Sequence, residues 1–351
     1  MLTLLAVAVV GTISALVASC GGGGRPSAGP GGTTALRLGF FPNITHATAL
    51  VGVHEGIFAR ELGPTVTLEP RTFTAGPAAV EAIFSGALDA AYLGPTPAVT
   101  AYVRSHGKAI RIVSGAASGG AFLVVRPDVA SVADLAGRRV ASPQLGGSQD
   151  VALRSWLKTQ GLGTNIYGGG VVSIVPQDNA LTLQTFRSGA IAGAWVPEPW
   201  ASRLVLEGGG KVLVDERSLW PGGEYATTQL VVSTHYLEAH RDVVRRLVVG
   251  HVTADALVHA DPARAQRAAN DEIAAVAGKR LSAAVLAASW KHLTFTNDPI
   301  AASLRTVAAE AVDLGLIDGA LVSRARVDGI YDLSLLDEVL RARGEPPIDP
   351  G

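Results

Sequence analysis

Neutral hydrogen-bond donors stand at the points where predicted strands give way to helices. These side chains are Asn43, Thr45, Thr74, Thr96, Gln144, Ser148 and Gln149. A helix N-terminus presents unpaired backbone amides and a partial positive charge, and each such end favours an anion by about 0.3–1 kcal/mol. Grouped at one sheet edge, these donors would bind a small anion without Lys or Arg. Helix capping explains Thr74, Thr96 and Ser148 equally well.

Catalytic chemistry finds little support in the sequence. Its eight histidines show no paired metal-binding spacing, no His follows a Gly-x-Ser-x-Gly elbow, and no glycine-rich loop carries a phosphate-binding Lys. We therefore predict no catalytic residue, no metal and no cofactor. His46 stands beside the donor cluster and is a further candidate for ligand binding, with a surface or capping role as the alternative.

A phrase in residues 85–98 recurs in residues 188–201, and each copy predicts the same local structure. A Ser-Gly stop ends a helix, a short apolar strand ends in an aromatic residue, and a proline-rich turn opens the next helix. The candidates that the two copies add are Tyr92, Gly94, Trp195, Glu198 and Trp200. Core packing is the alternative for Tyr92 and Trp195. Glu198 could bind a ligand amine, a neighbouring loop or solvent.

Strand and helix patterns alternate on both sides of each phrase, which predicts an α/β protein with two similar lobes. Each lobe is expected to be a mostly parallel sheet flanked by helices, with hinge crossings near residues 125–128 and 225–229. The predicted divisions are lobe 1 at 35–126, lobe 2 at 127–226, and a return strand with C-terminal helices completing lobe 1 at 227–351. A long helical region is predicted from residue 234 to Arg343, with breaks at 261–262, at 297–299 and around Gly319 and Gly329, and Gly119-Gly120 is interpreted as a tight turn.

The N-terminus is typical of an exported lipoprotein. Residues 1–19 predict a signal peptide, because an apolar run leads into small residues just before Cys20. The stretch ahead of that run departs from the usual pattern in having no Lys or Arg. Cys20 is the predicted lipidation site, and residues 20–34 predict a flexible Gly-rich tether. An uncleaved anchor or a buried Cys is the alternative.

Composition narrows the possible partners. The 351 residues carry a formal net charge of −1 with no basic stretch, which argues against nucleic-acid binding. The single Cys excludes a disulfide framework and a Cys-based metal site.

Several motifs together resemble one known family. They are FPNITHA at 41–47, GPTPA at 94–98, PQLG at 143–146 with QDVAL at 149–153, PQDNA at 176–180 and WVPEPWA at 195–201. Jointly they resemble the solute-binding proteins of ABC importers for aliphatic sulfonates, taurine and nitrate. The resemblance implies a two-lobed periplasmic-binding fold with a ligand site in the loops that carry the candidates above.

The resemblance implies a specific functional role but leaves the identity of the ligand open. The expected protein is a monomeric, membrane-anchored lipoprotein outside the cytoplasm that captures a small anion and delivers it to an ABC permease with its ATPase. An aliphatic sulfonate or taurine is the favoured ligand, with nitrate, bicarbonate or a thiamine precursor as alternatives. An enzyme on the same fold and the sensing domain of a regulator are the competing functions.

Overall fold

The computed structural model describes residues 33–349. The predicted signal peptide at 1–19, the lipidation site Cys20 and nearly all of the predicted tether lie outside the described residues. Between residues 33 and 349 no helix is long and apolar enough to cross a membrane. The same stretch contains no group of three or more His, Cys, Asp or Glu side chains that could hold a metal ion.

The described residues form eleven strands and fourteen α-helices. The strands are β1 (Thr34–Phe40), β2 (Val66–Thr72), β3 (Ala90–Leu93), β4 (Ile110–Gly119), β5 (Ala121–Val125), β6 (Arg139–Ser142), β7 (Ser173–Pro176), β8 (Gly193–Pro197), β9 (Lys211–Asp215), β10 (Ala226–Ser233) and β11 (Leu293–Phe295). The helices are α1 (Ala47–His54), α2 (Ile57–Leu62), α3 (Gly76–Phe84), α4 (Pro95–Arg104), α5 (Ser148–Thr159), α6 (Asn179–Arg187), α7 (Trp200–Leu206), α8 (Thr234–Ala239), α9 (Arg241–Ala260), α10 (Pro262–Ala277), α11 (Ala283–Lys291), α12 (Ala301–Asp313), α13 (Gly319–Ala325) and α14 (Ser334–Ala342).

Two sheets form the centres of two lobes. Lobe 1 contains a six-stranded sheet in the order β11-β4-β10-β3-β1-β2, and lobe 2 contains a five-stranded sheet in the order β7-β6-β8-β5-β9. Strands β1, β2 and β3 are parallel, as are β6, β7 and β8. The strand that enters each lobe from the other, β10 in lobe 1 and β5 in lobe 2, pairs antiparallel with both neighbours.

The first crossing lies at Gly119 and Gly120, not near residues 125–128 as the sequence analysis places it. The sequence suggests that 122–125 is a lobe 1 strand, but β5 pairs with β8 and β9 of lobe 2. Both glycines have left-handed backbone angles, with φ of 79° and 71°. A Cβ at Gly120 would lie 2.5 Å from Leu293 Cδ2, so this reversal favours residues without side chains. The second crossing occupies residues 216–225, just before β10.

The lobe 1 sheet is covered on both faces, and the alternation of its strands explains how. On β3, Tyr92 contributes to one buried cluster and Leu93 to the cluster on the opposite face. The first cluster also contains Phe58 of α2 and Leu247 of α9, so C-terminal helices complete the core of lobe 1. A fully buried side chain of this size contributes about 1.5–3 kcal/mol.

One helix is divided, and one local prediction from the sequence is wrong. Residues 47–62 form two helices, α1 and α2, because Gly56 has a φ of 63°, which no helix interior allows. The long helical region after residue 233 is interrupted by β11, which adds an edge strand beside β4. Leu293, Thr294 and Phe295 alternate too briefly for the sequence to distinguish a strand from a helix end.

Candidate functional site

A small cavity of about 40 Å³ lies between the two lobes. Its lining residues come from loops at the carboxyl ends of strands, where ligands of parallel sheets bind. They are Phe41, Asn43, Thr45, His46, Thr74, Ala75, Gly76, Gly94, Pro97 and Thr227 from lobe 1, and Pro143, Gly147, Ser148, Gln149, Asn179 and Pro197 from lobe 2. None of them is Lys or Arg.

Four α-helices begin at this cavity. The N-caps of α3, α4 and α5 are Ala75, Gly94 and Gly147, which have no capping side chain, and the Asp178 side chain makes no cap hydrogen bond at α6. No N-cap side chain therefore satisfies the first backbone amides of these helices. In the first turn of α4 the residues on either side of Thr96 are prolines, which carry no N–H, and the Thr96 N–H donates to Ser148 Oγ. The cavity thus combines partial positive charge from both lobes with backbone amides of α3, α5 and α6 that a ligand can use.

Seven of the thirteen predicted ligand-binding side chains or glycines line this cavity. They are Asn43, Thr45, His46, Thr74, Gly94, Ser148 and Gln149. Thr74, Thr96 and Ser148 are not the N-caps of their own helices: Ser148 and Thr96 lie within α5 and α4, and Thr74 precedes the α3 N-cap. Gln144 lies outside the lining, where its carbonyl accepts the Gly147 amide at 3.0 Å.

His46 is a neutral donor in this site. The backbone N–H of Phe41 donates to His46 Nδ1 at 3.3 Å, so the neutral ring carries its proton on Nε2. Burial lowers the pKa of His46 to about 3, and the ring lies 4.4 Å from that of Phe41 between centroids. His46 therefore offers an N–H group to a ligand without adding a positive charge.

Contacts across the cavity hold the lobes together. Trp200 Nε1 of lobe 2 donates to Asn43 Oδ1 of lobe 1 at 2.9 Å, which leaves the Nδ2 hydrogens of Asn43 as donors. The backbone N–H of Thr96 donates to Ser148 Oγ at 3.4 Å. Trp200 itself does not line the cavity, so it acts on the site by orienting Asn43.

The acidic side chain in the first turn of α5 has partners within the protein. Asp150, in the first turn of α5, is fully buried and pairs with Arg154 at 2.8 Å. Its other oxygen accepts the Ser142 hydroxyl at 2.6 Å, and the backbone N–H of Gly146 donates to Oδ2 at 3.0 Å. The negative charge of Asp150 therefore has partners of its own, and it is not free to bind a ligand amine.

Tyr92 and Trp195 belong to the core rather than to the cavity wall. Both are fully buried, and the Tyr92 hydroxyl lies 2.8 Å from His251 Nδ1. Trp195 Nε1 donates to Glu216 Oε2 at 2.7 Å, and its ring packs on that of Trp156. Strands β3 and β8 lie inside their sheets, where Tyr92 contacts His251 of α9 and Trp195 contacts Trp156 of α5.

Glu198 also lies away from the cavity and joins the two lobes. It is fully buried, and it accepts hydrogen bonds from the backbone and hydroxyl of Ser202 at 3.0 and 2.8 Å. From lobe 1, Ser289 Oγ donates to it at 3.0 Å and His292 Nδ1 lies 2.6 Å away. Because four groups of the protein already contact this carboxylate, it is not available to bind a ligand.

Sequence reasoning missed Asn179 and Thr227. Asn179 is the first residue of α6, and its buried Oδ1 has no hydrogen-bond partner among the described residues. The motif at 176–180 was a signal that could have identified it. Thr227 lies near the start of β10, and its hydroxyl donates to the Gly119 carbonyl at 2.6 Å. It lines the cavity because the second crossing, just before β10, brings the chain back to lobe 1 at this point.

We predict that Glu216→Gln changes how stability depends on pH. Burial raises the pKa of Glu216 from 4.5 to about 8, so the folded protein holds a proton that the unfolded chain releases above its ordinary pKa. Glu216 therefore destabilises the fold as pH rises between those values. Glutamine cannot titrate and keeps an oxygen for the Trp195 N–H. The variant should exceed wild type by ~2–4 kcal/mol in unfolding free energy near the upper value.

Chemical denaturation at several pH values measures this difference. It should shrink toward zero as pH falls to the ordinary carboxyl range. Glu207→Gln, which changes an exposed carboxylate in lobe 2, should show no such trend. A Glu216→Gln difference that stays constant with pH would contradict the prediction.

Comparisons with known proteins identify a matching family and a similar curated protein. The model of the NMT1-like family matches residues 29–274. The taurine-binding periplasmic protein of Escherichia coli (strain K12) is 28% identical over 215 residues, which are 61% of this chain and 64% of that protein. The chain thus matches less than two thirds of that relative's length.

Two solved structures share the architecture. The alkanesulfonate-binding protein SsuA from Xanthomonas axonopodis pv. citri bound to MOPS has a TM-score of 0.66 at 21% identity, covering 87% of this chain and 97% of that one. The periplasmic nitrate-binding protein NrtA from Synechocystis PCC 6803 has a TM-score of 0.76 at 15% identity, covering 91% and 92%. These likenesses confirm the predicted two-lobed periplasmic-binding fold.

Proposed function

The chain belongs to the NMT1-like family, as its motifs predict, and from that membership we propose that it is the substrate-binding protein of an ABC importer. It captures a small anion between its lobes and delivers it to a membrane permease driven by an ATPase. The favoured ligand is an aliphatic sulfonate or taurine. A binding role without catalysis agrees with the taurine-binding relative and with the SsuA and NrtA structures.

The observation that carries this proposal is the convergence of four helix N-termini on one cavity. The helices α3 and α4 come from lobe 1, and α5 and α6 come from lobe 2. An anion between them interacts favourably with both lobes, so binding favours the closed arrangement. Each lobe alone provides half of that stabilisation, which is the property a capture protein requires.

The donor chemistry favours a monoanion with several acceptor oxygens. A sulfonate carries one negative charge over three oxygens, and the cavity supplies hydroxyl, amide and imidazole N–H donors in place of full positive charges. A dianion would lack compensation here, because none of the lining residues is Lys or Arg. The volume of about 40 Å³ matches a compact head group rather than a large molecule.

Anchoring and export complete the proposal. We propose lipidation at Cys20 after removal of residues 1–19, with the residues between Cys20 and Thr33 as a tether that holds a monomer outside the cytoplasm; Thr34, which the sequence analysis includes in the tether, is the first residue of β1. Among the described residues, 34–119 and 226–349 form lobe 1 around lobe 2. The relative from Escherichia coli is a periplasmic protein, which supports an exported location.

A thermal-shift and calorimetry panel tests the ligand class. The full chain in a non-ionic detergent should be stabilised by alkanesulfonates or taurine, by about 2.7 kcal/mol at a concentration about 100 times Kd. Nitrate, bicarbonate and a dicarboxylate form the comparison set. A panel in which no sulfonate produces a shift or heat would refute the ligand assignment, and mass spectrometry of the native N-terminus would decide lipidation.

A further inference from the structure

A larger cavity, of about 410 Å³, lies beside the second crossing and involves both lobes. Helix α5 of lobe 2 contributes Ser155 and Trp156, the crossing contributes Glu216 and Trp220, and α12 of lobe 1 contributes Glu310. It is separate from the small anion cavity, with which it shares no lining residue. Any group that binds here contacts lobe 1, lobe 2 and the segment that joins them.

The walls of this cavity combine two carboxylates with indole rings. Glu216 is only 6% exposed, and Glu310 is partly buried and accepts the Ser155 hydroxyl at 2.9 Å. No Lys or Arg is among the residues that line the cavity. An anionic ligand would therefore be repelled, and an uncharged apolar ligand would leave both carboxylates unpaired.

The two carboxylates behave as groups that lack a positive partner. Burial raises the pKa of Glu216 to about 8 and also raises the pKa of Glu310. The negative charge on Glu310 raises the pKa of Glu216 further. A positive charge placed between them would remove this penalty.

A second observation concerns the neighbouring aromatic residue Tyr225, which is 3% exposed. It lines a narrow adjoining cavity together with Glu216, Trp220 and Glu310. The Trp220 and Tyr225 rings stack at 5.4 Å between centroids, so the aromatic wall continues from one cavity into the other.

We propose that this cavity binds an alkylammonium group, held by the carboxylates of Glu216 and Glu310 and by the indole rings of Trp156 and Trp220. Cations of this kind combine a spread positive charge with apolar surface, which aromatic faces and carboxylates recognise together. The group has two possible sources. It is either a separate organic cation or the amine end of a ligand whose acid head occupies the small cavity, and the second source rests on the proposed function.

Tetramethylammonium chloride is the probe for the site itself. Calorimetry on the full chain in a non-ionic detergent should give saturable binding that changes tryptophan fluorescence, whereas sodium chloride and tert-butanol should not. The double variant Glu216→Gln with Glu310→Gln should weaken binding at least about tenfold. Glu338→Gln, which alters an exposed carboxylate on α14, serves as the matched control and should bind as wild type does.

A second variant tests the proposal independently if the double variant fails to fold. Trp220→Leu leaves both carboxylates in place and should also weaken binding about tenfold. Circular dichroism and thermal unfolding identify a variant that fails to fold. Absence of saturable tetramethylammonium binding to wild type, or unchanged binding in the folded Glu and Trp variants, would overturn the proposal.

Pairs of alkanesulfonates with and without a terminal amine distinguish the two sources. If the amine end is the source, the amine raises affinity and the Glu variants remove that gain. If the cation is separate, tetramethylammonium and an alkanesulfonate bind together without competition. Sulfonate binding with no response to either form of ammonium overturns this inference alone, whereas ammonium binding without sulfonate binding overturns only the proposed ligand class.

Discussion

Replacing Glu198 by alanine is expected to lower the unfolding free energy by about 3 kcal/mol or more while leaving ligand preference unchanged. The fully buried carboxylate accepts hydrogen bonds from Ser202 and Ser289 and contacts His292. A hydrogen bond to a charged group contributes about 1.5–3 kcal/mol, and donors left without partners in a buried site add a further cost. Because Ser289 and His292 belong to lobe 1, the loss also weakens lobe closure.

Glu207→Ala is the matched control, because Glu207 is an exposed carboxylate at the C-terminal end of α7, paired with Arg203. Its effect should stay within about 0.5 kcal/mol. Chemical unfolding gives the stabilities, and calorimetry with a sulfonate and with nitrate gives the preference. Altered preference in Glu198→Ala with the stability of the control would instead make Glu198 a recognition residue.

The repeated phrase correctly predicts two equivalent strands, but it does not predict what their side chains contact. Strand β3 lies between β1 and β10, and β8 lies between β6 and β5. The matching Ser-Gly stops are real, with φ of 72° at Gly86 and 78° at Gly189. Whether Tyr92 and Trp195 face a cavity or the core depends on the covering helices, and those come from distant parts of the chain.

The N-termini of the helices show a similar limit of prediction from sequence. Sequence reasoning leaves capping and ligand binding as equal alternatives for Thr96 and Ser148, since hydroxyl side chains are strong N-caps. The structure uses Gly94 and Gly147 instead and brings Ser148 of lobe 2 against lobe 1. Propensity describes one helix at a time, whereas here the loops must also accommodate the opposite lobe.

Sequence reasoning does not identify the buried residues of the second crossing. Glu216 and Tyr225 carry no motif, and the crossing predicted near 225–229 gives no reason to expect a buried carboxylate. Burial arises because Trp195 from lobe 2 and Glu310 from lobe 1 both approach this segment. Contacts among three segments that lie far apart in the sequence produce no periodic pattern in the sequence itself.

Replacing Gly94 by alanine is expected to weaken ligand binding by about tenfold or more while changing the stability of the ligand-free protein much less. Gly94 has φ of −72°, which alanine adopts freely, so the effect is purely steric. A Cβ there would lie 2.4 Å from Ser148 Oγ across the cavity. Overpacking of this kind costs about 1–3 kcal/mol. The free protein relieves the clash by separating the lobes, whereas the ligand-bound protein cannot.

A double-mutant cycle identifies that clash as the cause. Ser148→Ala removes the Oγ atom and leaves Ser148 Cβ as the nearest atom of that residue, at 3.4 Å. Calorimetry should therefore find Gly94→Ala with Ser148→Ala equal to Ser148→Ala alone, so the two changes are strongly non-additive. Gly163→Ala, where a new Cβ meets no atom within 4 Å, controls for alanine substitution itself. Wild-type affinity in Gly94→Ala would mean that Gly94 and Ser148 do not approach each other in the ligand-bound state.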